Sequence, residues 1–186
     1  MNKKLGSFVV ASSDQCTGCK ACEIACFASH NHKDNKVVHT VGTVEIPVTP
    51  RLYLIKLEDK CLPIQCKQCE DAPCLNSCSA KAITKLDGTL LVNEELCIGC
   101  KNCMMACPFG ALEMFPIAQK GKVVPQIGSD EPRKAAFKCD LCSGLENGPA
   151  CVDACPHDVL KLMDLEDDRK EKSIRAAIAL TLTGNL

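Results

Sequence analysis

Cysteine is the residue type best able to do chemistry in this chain, which has 17 cysteines among 186 residues. Sixteen of them fall into four groups of four with short internal spacings. The first and third groups read C-x2-C-x2-C-x3-C, the second C-x2-C-x4-C-x3-C, and the fourth C-x2-C-x8-C-x3-C. The groups are Cys16, Cys19, Cys22 and Cys26; Cys66, Cys69, Cys74 and Cys78; Cys97, Cys100, Cys103 and Cys107; and Cys139, Cys142, Cys151 and Cys155. Thiols at such spacings can form disulfides, or bind zinc or iron–sulfur clusters as thiolates.

The N-terminal segment bears on the first of these uses, because stable disulfides need an oxidising compartment. Lys3 and Lys4 are followed only by a short apolar stretch, Phe8–Ala11. That stretch is shorter than the apolar region of a secretory signal, and the segment has no twin arginine. We therefore expect a cytoplasmic protein without a disulfide framework.

The spacing within the groups favours iron–sulfur clusters over zinc. Zinc ribbons use two C-x2-C pairs far apart in sequence, whereas Cys16–Cys26 and Cys97–Cys107 each place four cysteines within 11 residues. The run C-x2-C-x2-C-x3-C-Pro is typical of bacterial ferredoxins, in which the fourth cysteine ligates a second cluster. The sixteen cysteines therefore predict four [4Fe–4S] clusters, and a zinc-built interaction module is the alternative from another class.

A direct internal repeat indicates which elements must position these ligands. Cys16–Cys26 and Cys97–Cys107 are identical at seven of 11 positions. After the last cysteine of the second, third and fourth groups, a turn leads into a short apolar segment that we interpret as a strand. The repeated unit is then strand, cluster loop, short helix, turn and strand. This predicts an α+β fold made of two ferredoxin-like dicluster units with short strands and helices, plus a C-terminal helix.

Other segments give local predictions. The Asp-Gly pair between Ala82–Leu86 and Thr89–Val92 predicts a β-hairpin. Leu52–Leu57 alternates between apolar and polar residues and Thr43–Val48 does so weakly, so both are predicted strands. Phe115–Lys138 contains three prolines and an acidic Gly-Ser-Asp-Glu turn, which predicts an irregular surface loop.

The tail from Asp164 onward begins with acidic residues, continues with basic ones and ends uncharged. Its apolar residues recur at helical spacing. The residues on that face are Ile174, Ala177, Ile178, Thr181 and Leu182. The uncharged part has 11 residues, against the ~20 that cross a bilayer, so we predict no transmembrane segment. Three places for this helix stay open: against its own domain, against a partner or second copy, or on a membrane surface.

Composition excludes several functions. The 22 basic and 23 acidic residues nearly cancel, which argues against nucleic-acid binding through bulk charge. Five Phe, one Tyr and no Trp argue against an aromatic-lined substrate cavity. The sequence has no Gly-rich nucleotide loop, no Ser/His/Asp arrangement and no catalytic carboxylate pair. We therefore expect no catalytic side chain and no enzyme activity in the chain itself.

The cysteine groups and their neighbours resemble those of the four-cluster electron-transfer subunits of molybdenum/tungsten oxidoreductases and hydrogenases. The sequence is most similar to the small iron–sulfur subunits of formate hydrogenlyase and hydrogen-dependent carbon dioxide reductase. The matching motifs are Cys66-Lys-Gln-Cys-Glu-Asp-Ala-Pro-Cys74, Cys97-Ile-Gly-Cys-Lys-Asn-Cys103, Lys138-Cys-Asp-Leu-Cys142, Gly148-Pro-Ala-Cys151 and Pro50-Arg51. They are highly specific, and the resemblance covers residues 5 to about 165.

The resemblance implies a non-catalytic subunit of a soluble complex, carrying electrons between a hydrogenase and a formate dehydrogenase or to a related four-cluster subunit. It also implies that the tail helix mediates self-assembly, into a filament, through Ile174, Ala177, Ile178 and Leu182. A freely diffusing polyferredoxin and an accessory protein for hydrogenase or formate dehydrogenase maturation are the alternatives, and the motifs do not separate them.

The resemblance further implies a crossed pairing of ligands, the first group with the fourth and the second with the third. The implied ligand sets are site 1, Cys16, Cys19, Cys22 and Cys155; site 2, Cys139, Cys142, Cys151 and Cys26; site 3, Cys66, Cys69, Cys74 and Cys107; and site 4, Cys97, Cys100, Cys103 and Cys78. An outer dicluster unit would then comprise residues 1–60 and 138–165, a middle unit residues 61–137, and the C-terminal helix residues 166–186. Ser79 stands where the family usually has proline, which leaves the potential of the neighbouring cluster open but not its ligation.

The remaining candidates lie beside the ligands. A nearby cation raises the potential of an anionic cluster, which gives four lysines a tuning role, with ordinary solvated lysines as the alternative. They are Lys20, Lys67, Lys101 and Lys138, with Lys20 and Lys101 the strongest candidates. Cys61 belongs to no group and is predicted to be a small buried hydrophobe. The four histidines are expected at the surface or at helix caps rather than as ligands; they are His30, His32, His39 and His157.

Overall fold

Short antiparallel strand pairs and short helices make up the computed structural model, which describes residues 6–12, 14–33, 48–119, 122–145 and 148–183. In chain order the elements are β1 (Ser7–Ala11), α1 (Ala21–Lys33), β2 (Leu52–Lys56), β3 (Cys61–Gln65), α2 (Pro73–Asn76), β4 (Ile83–Leu86), β5 (Thr89–Val92), α3 (Asn102–Ala106), β6 (Glu113–Pro116), β7 (Ala118–Gln119), β8 (Lys122–Val123), β9 (Lys134–Phe137), α4 (Ala150–Asp153), β10 (Leu160–Asp164) and α5 (Leu165–Thr183). This mixture of helices and small sheets is the α+β class predicted from the sequence.

The strands form five two-stranded antiparallel sheets among the described residues: β1–β10, β2–β3, β4–β5, β6–β9 and β7–β8. The first of these joins the two ends of the chain, with Val9 opposite Leu162. An isolated two-stranded sheet is marginally stable in water. The fold must therefore take most of its stability from the groups that pack between the sheets.

Among the described residues, two cores rich in cysteine lie between the sheets. One core joins the chain ends and contains Val9, Cys22, Cys26, Leu52, Cys151 and Leu160. The other is built mainly from the middle of the chain and contains Cys66, Ala72, Cys74, Ile83, Leu90, Cys103, Ala111, Leu112, Ala136 and Cys139. Helix α1 packs on α4, and α2 packs on α3, so each core has one helix pair.

Two of the local predictions are confirmed. The predicted hairpin is β4–β5, with Leu86 opposite Thr89 across the turn. The predicted strand at Leu52–Leu57 is β2, which ends at Lys56. Of the predicted strand Thr43–Val48, only Val48 lies within the described residues, and it belongs to no strand.

The prediction of an irregular loop at Phe115–Lys138 is wrong. This segment holds β7, β8, β9 and the end of β6, and its Ile117, Ala135 and Phe137 are buried together. The prolines do not prevent pairing, because Pro116 ends β6 and Pro125 bridges Pro132 outside the ladders. Proline is compatible with strand ends and with positions where no ladder N–H is needed.

Helix α5 begins after Asp164, whose carboxylate accepts hydrogen bonds from the backbone N–H groups of Glu166 at 2.9 Å and Asp167 at 3.4 Å. This is the usual capping of a helix N-terminus. The side chains from Arg169 to Thr181 are all exposed, so this part of the helix does not pack on its own domain. Of the predicted apolar face, Ile174 is 56% exposed and Ile178 is 54% exposed.

Leu182 lies within α5, but its side chain falls outside what the structure describes. The described helices include none of the length and apolar character needed to span a membrane.

Candidate metal centres

The first and third cysteine groups lie on loops with the same unusual backbone. Gly18 and Gly99 both have φ of +73°, and Lys20 and Lys101 have φ of +63° and +65°. Positive φ values are uncommon for residues other than glycine. Two residues with positive φ in each loop turn the chain tightly. A helix then begins at once, α1 after the first group's loop and α3 after the third group's loop. The loop and helix together bring three cysteines of each group to one place.

Two of the implied ligand sets line cavities. A small cavity is lined by the site 1 cysteines, with Pro63, Pro156 and Val159 among its other walls. A second small cavity is lined by the site 4 cysteines, with Ala82, Ile83 and Met114. In both, three thiols come from one group and the fourth from a distant one. Four thiols around a mainly apolar cavity are the donor set that a [4Fe–4S] cluster requires, so these residues fit that group.

In the other two sets, thiols that are distant in sequence also come close together. In site 2, the Cys26 thiol acts electrostatically on Cys139, Cys142 and Cys151, although it lies far from them in sequence. In site 3, Cys107 acts in the same way on Cys69 and Cys74, together with Cys66. Among the described side chains, no three His, Cys, Asp or Glu residues converge tightly enough to hold a single metal ion. The cysteines of each set thus lie near one another, but around a space larger than a single metal ion.

Burial raises the pKa of several of these thiols and so keeps them protonated when no metal is bound. It raises the pKa of Cys22 and Cys103 to about 11 and that of Cys139 to about 12. Burial is also the main cause of the raised pKa of Cys151. Since only the thiolate is a metal ligand, cluster binding must release these protons.

The last cysteine of three groups accepts a hydrogen bond from the backbone N–H four residues later. The pairs are Ala82 N with Cys78 Sγ at 3.3 Å, Ala111 N with Cys107 Sγ at 3.4 Å, and Val159 N with Cys155 Sγ at 3.3 Å. N–H groups that point at ligand sulfurs raise the potential of a cluster. The turn after Cys78 has the same contact as the other two, although Ser79 replaces proline there.

Cys26 ends the first group, and its sulfur instead accepts a hydrogen bond from the N–H of Arg51 at 3.3 Å. The spare cysteine, Cys61, is half-buried rather than buried, at the start of β3. Its Sγ would lie 2.8 Å from a Cβ placed on Gly18, so it packs directly on the site 1 loop. This contact requires glycine at position 18 in addition to the positive φ.

The four candidate lysines differ sharply in environment. Lys20 and Lys101, the two favoured from the sequence, are exposed. Lys20 lies 3.9 Å from the Glu23 carboxylate, and Lys67 lies over the Phe8 ring at 5.7 Å. Lys138, by contrast, is buried. The sequence favoured Lys20 and Lys101 over the buried Lys138, because all four are neighbours of a ligand cysteine and that position does not reveal burial.

A buried polar network that the sequence did not reveal holds site 2. The His30 ring contacts Asp140 Oδ1 through Nε2 at 2.8 Å and the Cys26 carbonyl through Nδ1 at 2.8 Å. Arg51 Nη1 donates to the other Asp140 oxygen at 2.7 Å, and the N–H of Cys142 donates to Oδ1 at 3.0 Å. Asp140 therefore ties the Cys139–Cys142 loop to α1 and to Arg51.

The expectation of a surface or capping role for His30 is wrong, since this residue is 7% exposed. Burial lowers its pKa, but the hydrogen bonds with the side chains of Asp140 and Cys26 raise it more, to about 9, so the ring donates from both nitrogens at neutral pH. The available signal was the spacing of Cys22, Cys26 and His30, which recur every four residues on one helix face. His157 is exposed as expected, while His39 and the side chain of His32 lie outside the described residues.

Replacing Asp140 with alanine should destabilise the cluster-loaded protein by about 3 kcal/mol, because it removes the carboxylate that the buried His30 and the half-buried Arg51 share. The measurement is the guanidinium dependence of the loss of cluster absorbance under anaerobic conditions. Asp130→Ala, at an exposed position in a loop, is the matched control and should change stability by less than about 0.5 kcal/mol. Equal effects of the two substitutions would contradict a structural role for the network.

Comparison with known proteins identifies the family. The model "4Fe-4S binding domain" matches residues 90–113. Two Escherichia coli relatives are 38% identical: Electron transport protein HydN, over 94% of this chain and 99% of HydN, and Formate hydrogenlyase subunit 2, over 88% of this chain and 84% of the relative. Putative oxidoreductase AegA of Escherichia coli is 39% identical over 93% of this chain, which spans only 25% of AegA. This chain therefore belongs to the family of electron-transfer iron–sulfur proteins that contains HydN and Formate hydrogenlyase subunit 2, and it carries [4Fe–4S] clusters.

Proposed function

We propose that this chain is a non-catalytic electron-transfer subunit with four [4Fe–4S] clusters, held at sites 1 to 4 by the sixteen grouped cysteines. The observation that carries the proposal is the crossed grouping: Cys155 lines the same cavity as the first cysteine group, and Cys78 the same cavity as the third. When bound, the clusters supply one-electron oxidation and reduction without bond-making chemistry on any side chain. The chain's own residues hold them, direct N–H groups at their sulfurs and exclude water.

The two cores support a division into two dicluster units. Residues 1–60 and 138–165 would form the outer unit, where β1 pairs with β10 and α1 packs on α4. Residues 61–137 would form the middle unit, where α2 packs on α3. Cys139 belongs to the outer unit by ligation but is buried in the core of the middle one. Sites 2 and 3 would therefore be neighbours where the units meet.

Exposure of the ligands supports an order for the four sites. Cys19 of site 1 and Cys100 of site 4 are exposed, whereas all four cysteines of site 2 are buried. Site 3 has no exposed cysteine either. We infer the order 1, 2, 3, 4, with electrons entering and leaving at sites 1 and 4.

For partners, we propose a hydrogenase and a formate dehydrogenase or a related four-cluster subunit, on the basis of the kinship with Formate hydrogenlyase subunit 2. Anaerobic co-purification from the native cells tests this. Stoichiometric recovery of both enzymes, together with about four irons per cysteine set, is the expected result. Recovery of the chain alone would favour a free polyferredoxin, and recovery only with cluster-free precursor enzymes would favour a maturation factor. Zinc in place of iron would end the cluster assignment. A cytoplasmic location stays a prediction from the sequence.

The exposed helix α5 is the proposed contact for a partner or a second copy, through the face formed by Ile174, Ala177, Ile178 and Leu182. Introducing Ile174→Lys with Ile178→Lys should reduce the particle size of the native assembly, because two charges would enter an apolar contact. The control is Ala176→Lys with Ala179→Lys, which adds the same charge on the opposite face of the helix. Light scattering that shows the same particle size for both pairs would rule out this contact, and with it a filament built through α5.

A further inference from the structure

Lys138 is a buried cation at the place where sites 2 and 3 meet. It directly precedes Cys139, and although it borders an open cleft that Arg51 and Glu94 also line, only 2% of it is exposed. Its ammonium donates hydrogen bonds to the carbonyls of Leu90 and Cys139, the latter at 2.7 Å. In the described part of the chain, no carboxylate forms an ion pair with it.

The absence of a carboxylate partner among the described residues distinguishes Lys138 from the half-buried Arg51, which pairs with Asp140 at 2.7 Å. Burying a charge is costly unless it is hydrogen-bonded and compensated by opposite charge. Carbonyl oxygens satisfy the N–H donors of the ammonium but do not neutralise it. The compensating negative charge must come from elsewhere, and the thiolate-ligated clusters proposed for sites 2 and 3 are anionic.

Hydrogen bonds show that both sites meet at this ammonium. Gln68, within the Cys66–Cys69 loop of site 3, donates Nε2–H to the same Cys139 carbonyl at 2.8 Å. Its Oε1 accepts the N–H of Leu90 at 2.8 Å, and the carbonyl of Leu90 accepts from Lys138. The loop of site 3, the start of site 2 and the lysine are thus joined in one buried network.

The electrostatic effects agree with this geometry. Burial raises the pKa of Cys139 in site 2 and of Cys74 in site 3, and in both cases the Lys138 ammonium acts in the opposite direction. The ammonium favours the thiolate form of a ligand in site 2 and of a ligand in site 3, so one positive charge acts on both sites. The exposed Lys20 and Lys101 lie in solvent, which screens such effects.

We propose that Lys138 sets the potentials of the two inner clusters together. Its buried charge favours reduction at sites 2 and 3 over sites 1 and 4, so that an electron entering at either exposed end resides preferentially on the inner pair. This proposal rests on the four-cluster function above and adds to it a charge-storing middle.

The test is an EPR-monitored potentiometric titration of the purified full chain loaded with its clusters. Replacing Lys138 with methionine should lower two of the four reduction potentials, each corresponding to about a tenfold loss in the equilibrium constant for reduction, or about 59 mV for one electron. Lys138→Arg, which keeps the charge, should keep both potentials close to those of the unsubstituted protein. Lys101→Met, which removes an exposed lysine next to Cys100, should shift every potential by less than a third as much.

Iron and sulfide content is measured first on each variant. It separates a failure of the four-cluster function from a failure of the role proposed for Lys138. Fewer clusters or zinc in the unsubstituted protein would overturn the proposed function itself. Full loading with unchanged potentials in Lys138→Met, or an equal shift of all four, would overturn only the role of Lys138. If the methionine variant loads incompletely, Lys138→Gln, which keeps an N–H donor without the charge, is measured by the same criteria.

Discussion

Replacing Cys155 with alanine should remove the same cluster as replacing Cys16, although these residues lie near opposite ends of the chain. Each single substitution should lose up to about four irons, the content of one [4Fe–4S] cluster. The double variant Cys16→Ala with Cys155→Ala should lose no more iron than either single one, because both residues line one cavity. Iron and acid-labile sulfide analysis of anaerobically purified protein gives the measurement.

The informative contrast is Cys16→Ala combined with Cys26→Ala. These cysteines belong to one sequence group, but Cys26 is near the thiols of site 2. This pair should lose two clusters, or about eight irons. Cys61→Ala is the control and should keep all of the iron. If the Cys16 and Cys26 pair loses only one cluster, the ligands are grouped by sequence and the crossed arrangement is wrong.

The second large effect is expected on removing the iron: the chain should lose nearly all of its tertiary structure. Four of the ten residues in the larger core and three of the six in the smaller are cysteines. Without clusters those positions enclose cavities, and two-stranded sheets do not persist on their own. The coupling of metal binding to folding makes cluster loss equivalent to unfolding.

Amide hydrogen exchange before and after anaerobic chelation measures this effect, with a thiol reductant present so that the freed cysteines do not form disulfides. Protection at β1, β10 and the β4–β5 hairpin should fall to that of an unfolded chain. Protein treated with reductant alone is the control and should keep its protection. Native-like protection in the iron-free chain would mean that the apolar residues suffice to hold the fold.

Local spacing predicted the cysteine groups, the α+β class and the β4–β5 hairpin, because each depends on residues close in sequence. The approach of Cys26 to Cys139 and Cys151 could not be predicted from local spacing. It results from the pairing of chain ends, which the ligand spacings left ambiguous and only the resemblance implied. The ligation itself stays a prediction.

The missed features have physical reasons. Proline content suggested a loop at Phe115–Lys138, but Pro116 ends a strand and the other two prolines bridge each other outside the ladders, while Ala135 and Phe137 are buried. His30 and Asp140 are 110 residues apart, so no local pattern connects them. Burial separates Lys138 from the other lysines beside ligands, and burial is a property of the folded chain rather than of spacing.

The pairing of β1 with β10 also determines the order in which the two proposed units can be completed as the chain is synthesised. Every residue proposed for the middle unit is synthesised before Cys151, Cys155 and β10. Until then, β1 has no strand to pair with and the first cysteine group lacks its distant fourth thiol. The ligands of the middle unit can therefore be complete before those of the outer unit, whose clusters must wait for the fourth cysteine group and β10.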